Sequence, residues 1–171
     1  MSIELLSADQ MGHHPADFYL VAEGPGKLAG MSYPSDQKWD SLFGSGYRHV
    51  VCLTDDTPRY DPSPLGVLYA GQMKDLVGGR EPLDPEHEER CVRDAVVLIR
   101  QRVLAGEGVV VHCQGGTGRT GTVIACALRA LGVPLPAIFA HMKTVNGART
   151  KYPGWRGWPE SNWQMRLLER Y

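Results

Sequence analysis

Val109-Val110-Val111-His112-Cys113-Gln114-Gly115-Gly116-Thr117-Gly118-Arg119-Thr120-Gly121 joins an apolar run, a glycine-rich turn and the opening of an apolar helix. Val109, Val110 and Val111 are apolar on consecutive positions, as in a strand covered on both faces of a parallel sheet, which predicts a central strand. From Thr120 to Leu131 the chain is rich in Ala, Val, Ile and Leu and lacks a charged face. Gly132 and Pro134 follow as stop signals, so this reads as a buried helix. A strand that hands a cysteine to a turn and then to a buried helix implies an α/β fold: a central, mostly parallel sheet flanked by helices.

Outward from this segment, residues 84–106 give the clearest helix. Asp84 is a cap, Pro85 takes the first helical position, and Val92, Val96, Ile99 and Val103 recur at helical spacing until Gly106. Residues 18–22, 48–53 and 65–70 read as strands. A short helix capped by Ser35 and carrying Trp39, Leu42 and Phe43 stands between the first two, making a strand, helix, strand unit. Two further helices near residues 134–145 and 161–171 flank a Gly-, Pro- and Trp-rich loop at 146–159. Residues 74–82 form a loop whose polar side chains have no packing role, a place where function can reside.

Each residue type in the turn has a chemical use. Gly115, Gly116 and Gly118 can adopt positive φ, so that with Gln114 and Thr117 they expose successive backbone N–H groups as an anion-binding nest. The N-terminus of the next helix adds unpaired N–H groups and partial positive charge. The same field favours a thiolate, so Cys113 is expected to ionise near neutral pH and act as a nucleophile. Arg119 can hold two phosphate oxygens with its planar fork, and Thr120 can donate its hydroxyl to the Cys113 sulfur. His112 reads as a scaffold residue. The bland alternative is a buried thiol beside an ordinary turn. A Walker A loop is excluded, because Arg119 stands where that motif needs lysine.

HCQGGTGRTG, His112 to Gly121, resembles the His-Cys-x5-Arg-Thr/Ser signature loop of the protein tyrosine phosphatase superfamily. The paired glycines and the Asp-bearing loop upstream are similar to the dual-specificity branch, particularly its cyclin-dependent kinase inhibitor 3 type. The likeness spans about residues 50–171. It implies a cysteine-dependent phosphatase fold and hydrolysis through a phosphocysteine on Cys113 without cofactor or metal, while the length of 171 residues implies one domain, residues 1–171. A general acid is also needed, to be chosen from Asp55, Asp56, Asp61, Asp75 and Asp84. The resemblance places it on the loop before the long helix, where Asp75 lies, and has the same residue take a proton back in the second step. The alternative for Asp75 is a solvated loop carboxylate, whereas Asp84 is better explained as a cap. Gln164 resembles a family glutamine that positions water, against which stands a plain surface amide.

Composition narrows the field. The 171 residues are 43% hydrophobic and 22% charged with a net charge of −1, which suits a packed globular protein and gives no basic run for nucleic acid. No apolar run reaches the 18 or more residues that span a bilayer, and the first residues lack the layout of a secretory signal. Four irregularly spaced cysteines suit reduced thiols in a cytoplasm, and a monomer is expected. Cys52 reads either as a core cysteine or as a redox partner of Cys113. His13-His14 reads as a polar turn rather than a metal site. Trp155, Trp158 and Trp163 can either frame a substrate groove or pack in the core. The expected partner is a phosphorylated protein, phosphotyrosine first, or a small phosphoester. The rival from another class is a pseudophosphatase that holds phosphoproteins without turnover.

Overall fold

The computed structural model describes residues 2–12, 17–35 and 38–171. Its elements run β1 (Glu4–Leu5), β2 (Phe18–Glu23), β3 (Lys27–Met31), α1 (Trp39–Gly44), β4 (Tyr47–Cys52), β5 (Gly66–Ala70), α2 (Pro85–Leu104), β6 (Gly108–His112), α3 (Gly118–Ala130), α4 (Leu135–Ala148) and α5 (Asn162–Arg170). His13 and His14 lie outside the described residues.

Among the described residues six strands form one sheet in the order β1-β2-β3-β6-β4-β5. The ladders β3 to β6, β6 to β4 and β4 to β5 are parallel, while β1 and β2 add an antiparallel edge. β6 is central, as its valines predict. Every residue of β6 is buried: Val109 and Val111 enter the larger core under α2 and α3, and Val110 enters a smaller core under α1. Burial of each valine contributes about 1.5–3 kcal/mol, so β6 is held from both faces.

Two sequence expectations are corrected. The unit spanning residues 18–53 is not strand, helix, strand, because β3 intervenes, hairpins onto β2 and supplies the parallel neighbour of β6. β3 escapes pattern reading because its middle holds Ala29 and Gly30 rather than branched residues. The small residue has a packing reason: Gly30 lies opposite Tyr19 in the ladder, and a Cβ there would sit 2.3 Å from the Tyr19 ring. Ser35 is not the cap of α1, which begins at Trp39 with Lys38 in the cap position and no side-chain cap bond. The helix is held instead by burial of Trp39 and Leu42.

α2 starts as read, with Asp84 accepting the His87 N–H at 2.9 Å and Pro85 in the first turn. No helix among the described residues is long and apolar enough to cross a membrane.

Candidate active site

β3, β4 and β6 run parallel, and their carboxyl ends meet at one edge of the sheet, where open α/β sheets place their ligands. β6 delivers Cys113 there, 2% exposed, at the start of the loop that becomes α3.

The loop's carbonyls are held from behind. Gln114 O accepts the Tyr33 N–H at 2.9 Å. Gly115 O accepts Lys151 Nζ at 2.7 Å and Arg149 Nη2 at 3.2 Å. Gly116 O accepts the Tyr19 hydroxyl at 2.9 Å and Arg149 Nη1 at 2.5 Å. Because a trans peptide is planar with C=O and N–H opposed, turning these carbonyls outward turns the N–H groups of Gly115, Gly116 and Thr117 toward the concave side. That is the expected anion nest, but of Gly115, Gly116 and Gly118 only Gly116 has positive φ, so the orientation of these amides comes less from the glycines than from the donors that hold the carbonyls from outside.

These donors are fixed. Burial raises the Tyr19 phenol to about 12, outweighing the nearby Arg149 cation, so it remains a donor. Arg149 is 2% exposed and stacks over the Tyr19 ring at 4.1 Å. Gly116 has φ +67°, and a Cβ there would fall 2.5 Å from Met31 O, so only glycine fits.

His112 is a scaffold residue. Its Nδ1 lies 3.2 Å from Cys113 O, which can only accept, so Nδ1 carries the proton. Nε2 then accepts from the Tyr60 hydroxyl at 2.5 Å. Tyr60 stacks on Trp39, and Tyr33 meets the imidazole edge-on. Burial drives the His112 pKa down to about 4, so the ring stays neutral.

Arg119 is buried and clamped at one end. Nη1 donates to Asp55 Oδ1 at 2.9 Å and Met73 O at 3.1 Å, and Nη2 to Asp75 Oδ2 at 3.2 Å. Nε makes no hydrogen bond among the described residues, so the Nε–Nη2 edge keeps donors for a tetrahedral anion. Asp55, one of the candidate acids, instead bridges Arg119 and Lys74. Asp75 stands beside Arg119 on the loop, and Glu88 anchors that loop by accepting the Lys74 N–H at 3.0 Å. Burial lifts the Glu88 carboxyl above the usual range.

Asp75, Cys113, Gln114, Thr117, Gly118 and Arg119 share one cleft of about 280 Å³. Thr120 does not join them. The expected bond to the Cys113 sulfur is not formed, and the fully buried Oγ1 has no hydrogen-bond partner among the described residues. A sulfur is a weak acceptor until it ionises, so this contact is little favoured without a charged thiolate. Gln164 is no surface amide either. It is 1% exposed, and its Oε1 accepts the N–H of Glu160 at 2.7 Å and of Ser161 at 3.3 Å. Trp158 and Trp163 are core residues, whereas Trp155 is half-buried at the mouth of the cleft. Cys52 is buried and free, its Sγ 3.2 Å from Thr54 Oγ1.

Sequence reading missed Tyr19, Tyr60, Glu88, Arg149 and Glu160 as members of this site. None stands in the signature segment, and only the fold brings them to it.

A family model described as PTP-SAK, Swiss Army Knife protein, DSP-PTPase phosphatase domain, matches residues 20–156. The chain is 28% identical over 152 residues to the putative tyrosine phosphatase 067L of Invertebrate iridescent virus 3, covering 81% of this chain and 59% of that protein. It thus spans about three-fifths of that relative's length. Among solved structures, Tk-PTP in the active form superposes with a TM-score of 0.60 at 24% identity, covering 85% of this chain and 90% of that one. Human DUSP28 gives 0.58 at 19% identity, covering 84% and 86%. These two likenesses are of fold.

Proposed function

Because the chain belongs to the PTP-SAK family of DSP-PTPase phosphatase domains, we propose that it hydrolyses phosphoesters through a phosphocysteine on Cys113, as a protein tyrosine or dual-specificity phosphatase. The observation that carries this reading is the set of outward-held carbonyls at Gln114, Gly115 and Gly116, which leaves a cradle of amides around one cysteine and one arginine. A nucleophile, an anion nest and a guanidinium edge converge there.

In the first step the Cys113 thiolate attacks phosphorus in line, the bond from phosphorus to the ester oxygen breaks, and Asp75 protonates that leaving oxygen. The amides of Gly115, Gly116 and Thr117, with Arg119, stabilise the equatorial oxygens. Thr120 supports departure of the sulfur in the second step, when the thiolate gives its hydroxyl a charged acceptor. Water then hydrolyses the phosphocysteine and regenerates the thiolate.

For substrate we favour a phosphorylated protein, phosphotyrosine first, since a phenol leaves easily and Tyr152 and Trp155 offer aromatic faces at the cleft mouth. The paired glycines and the Asp75 loop support placing it near the cyclin-dependent kinase inhibitor 3 type. A cytoplasmic setting suits its free thiols.

The test is release of phenol from an aryl phosphate by wild type, Cys113→Ser and Asp75→Ala, with EDTA present. Turnover should vanish in the serine variant and fall about 100- to 10,000-fold in the alanine variant for poor leaving groups, less for good ones. A wild type that binds phosphopeptide tightly without turnover would make the protein a pseudophosphatase.

A further inference from the structure

The cleft contains a second carboxyl group. Glu160, in the turn before α5, lines it together with Asp75, Cys113 and Arg119. Its Oε2 lies so close to Gly118 that a Cβ at that position would sit 1.8 Å from it. Gly118 opens α3, so the carboxyl group rests against the rim of the anion nest itself. Gln164 fixes its backbone by accepting the Glu160 N–H at 2.7 Å. Yet the Glu160 carboxylate makes no hydrogen bond or ion pair among the described residues, whereas Asp55 and Asp75 both hold Arg119. A half-buried carboxylate beside an anion cradle, with no partner of its own, is unfavourable for stability and for phosphate binding. It calls for a chemical explanation.

Resting on the phosphocysteine reading, we propose that Glu160 is the general base of the second step, activating the water that hydrolyses phosphocysteine. The water oxygen bonds to phosphorus as the phosphorus–sulfur bond breaks. That bond's electron pair stays on Cys113 as thiolate, and one proton of the water passes to Glu160. The products are inorganic phosphate and the free enzyme. The resemblance returns the water proton to Asp75; here Glu160 takes it, and exchange with solvent then deprotonates Glu160 and reprotonates Asp75, both of which line the open cleft.

The surroundings suit a base. Burial raises the Glu160 carboxyl above the usual glutamate range and the Asp75 carboxylate adds to this, while Arg119 and Lys151 oppose it. A carboxylate with raised proton affinity accepts a proton from water more readily than an ordinary one. Gly118 is what makes room for it, and Gln164, the amide that resembles a water-positioning glutamine, here positions the carboxylate instead.

Rapid-quench kinetics on the full chain with p-nitrophenyl phosphate separates the steps. Glu160→Gln and Glu160→Ala should keep the burst of nitrophenol at the wild-type rate, lose about 100- to 10,000-fold in steady-state turnover, and accumulate a phosphoenzyme visible by mass in acid-quenched samples. Their steady-state rate should no longer depend on the leaving group. An active wild type whose Glu160 variants turn over within about twofold of it, or whose burst and steady-state rates fall together, overturns the role of Glu160 alone. A wild type that releases no nitrophenol overturns the phosphatase reading and this assignment with it.

Discussion

Replacing Arg149 with methionine tests whether the anion cradle is held open from behind. The guanidinium donates to Gly116 O at 2.5 Å and Gly115 O at 3.2 Å, and stacks on Tyr19 at 4.1 Å. Hydrogen bonds from a charged group contribute about 1.5–3 kcal/mol each and a buried cation–π contact about 1–2 kcal/mol. Two effects reduce the loss: Lys151 and the Tyr19 hydroxyl stay on the same two carbonyls, and methionine removes the cost of burying a charge. A net destabilisation of about 3 kcal/mol follows, which for a chain of this size lowers Tm by about 6–12 °C. Activity should suffer further, because one misdirected amide in an oxyanion cradle costs about 100- to 1,000-fold. Thermal melting and kcat/KM on an aryl phosphate measure the two effects. Lys151→Met is the control: Lys151 is exposed, and its loss should cost under about 1 kcal/mol. An Arg149→Met protein that melts within about 2 °C of wild type and keeps kcat/KM within about twofold would refute the reasoning.

The neutral His112 gives a pH signature. With its pKa lowered from 6.5 to about 4, the folded state refuses a proton that the unfolded state binds, so its contribution is present above pH 6.5 and is lost as pH falls toward 4. The loss amounts to about 3 kcal/mol by linkage. Buried His141 adds a slope of the same sign, while Glu88 and Glu160, both raised, oppose it. Urea unfolding of wild type and His112→Gln across that range isolates the residue, since the variant's stability should vary less; equal slopes would count against the assignment. Gly116→Ala should cost about 3–4 kcal/mol, combining a left-handed φ with a contact on the Met31 backbone that cannot step aside. A melting temperature matching wild type would contradict the geometry of the loop.

The central strand, the loop and the buried helix were legible because each carries a local signal: consecutive valines, glycines after a cysteine, and an apolar run without a charged face ending at Gly132 and Pro134. α2 was legible for the same reason, its cap and its period lying within one segment. β3 was not, since Gly30 answers to the Tyr19 ring across the ladder rather than to any propensity of its own. The same limit hid the supports of the site. Arg149 and Glu160 sit in a loop whose composition says only that it is irregular, and Tyr60 is one aromatic among prolines and aspartates. Gln164 was legible as a residue of interest but not as buried, because exposure depends on what the fold brings over it. Asp75 was singled out by its place on the loop before the long helix, but that it shares Arg119 with Asp55, one at each terminal nitrogen, was not legible.

Tyr19 precedes Gly116 by 97 residues and Arg149 follows it by 33. The cradle therefore cannot be finished when the cysteine is made. At about 5–20 residues per second, a ribosome needs on the order of seconds beyond Cys113 before Arg149 exists, and longer before it emerges. Through that interval the glycine loop lacks the cation that turns its carbonyls away, and the thiol sits in an unformed nest. The proposed chemistry thus has a maturation clock: competence toward phosphate arrives only when early and late parts of the chain have met across the central strand.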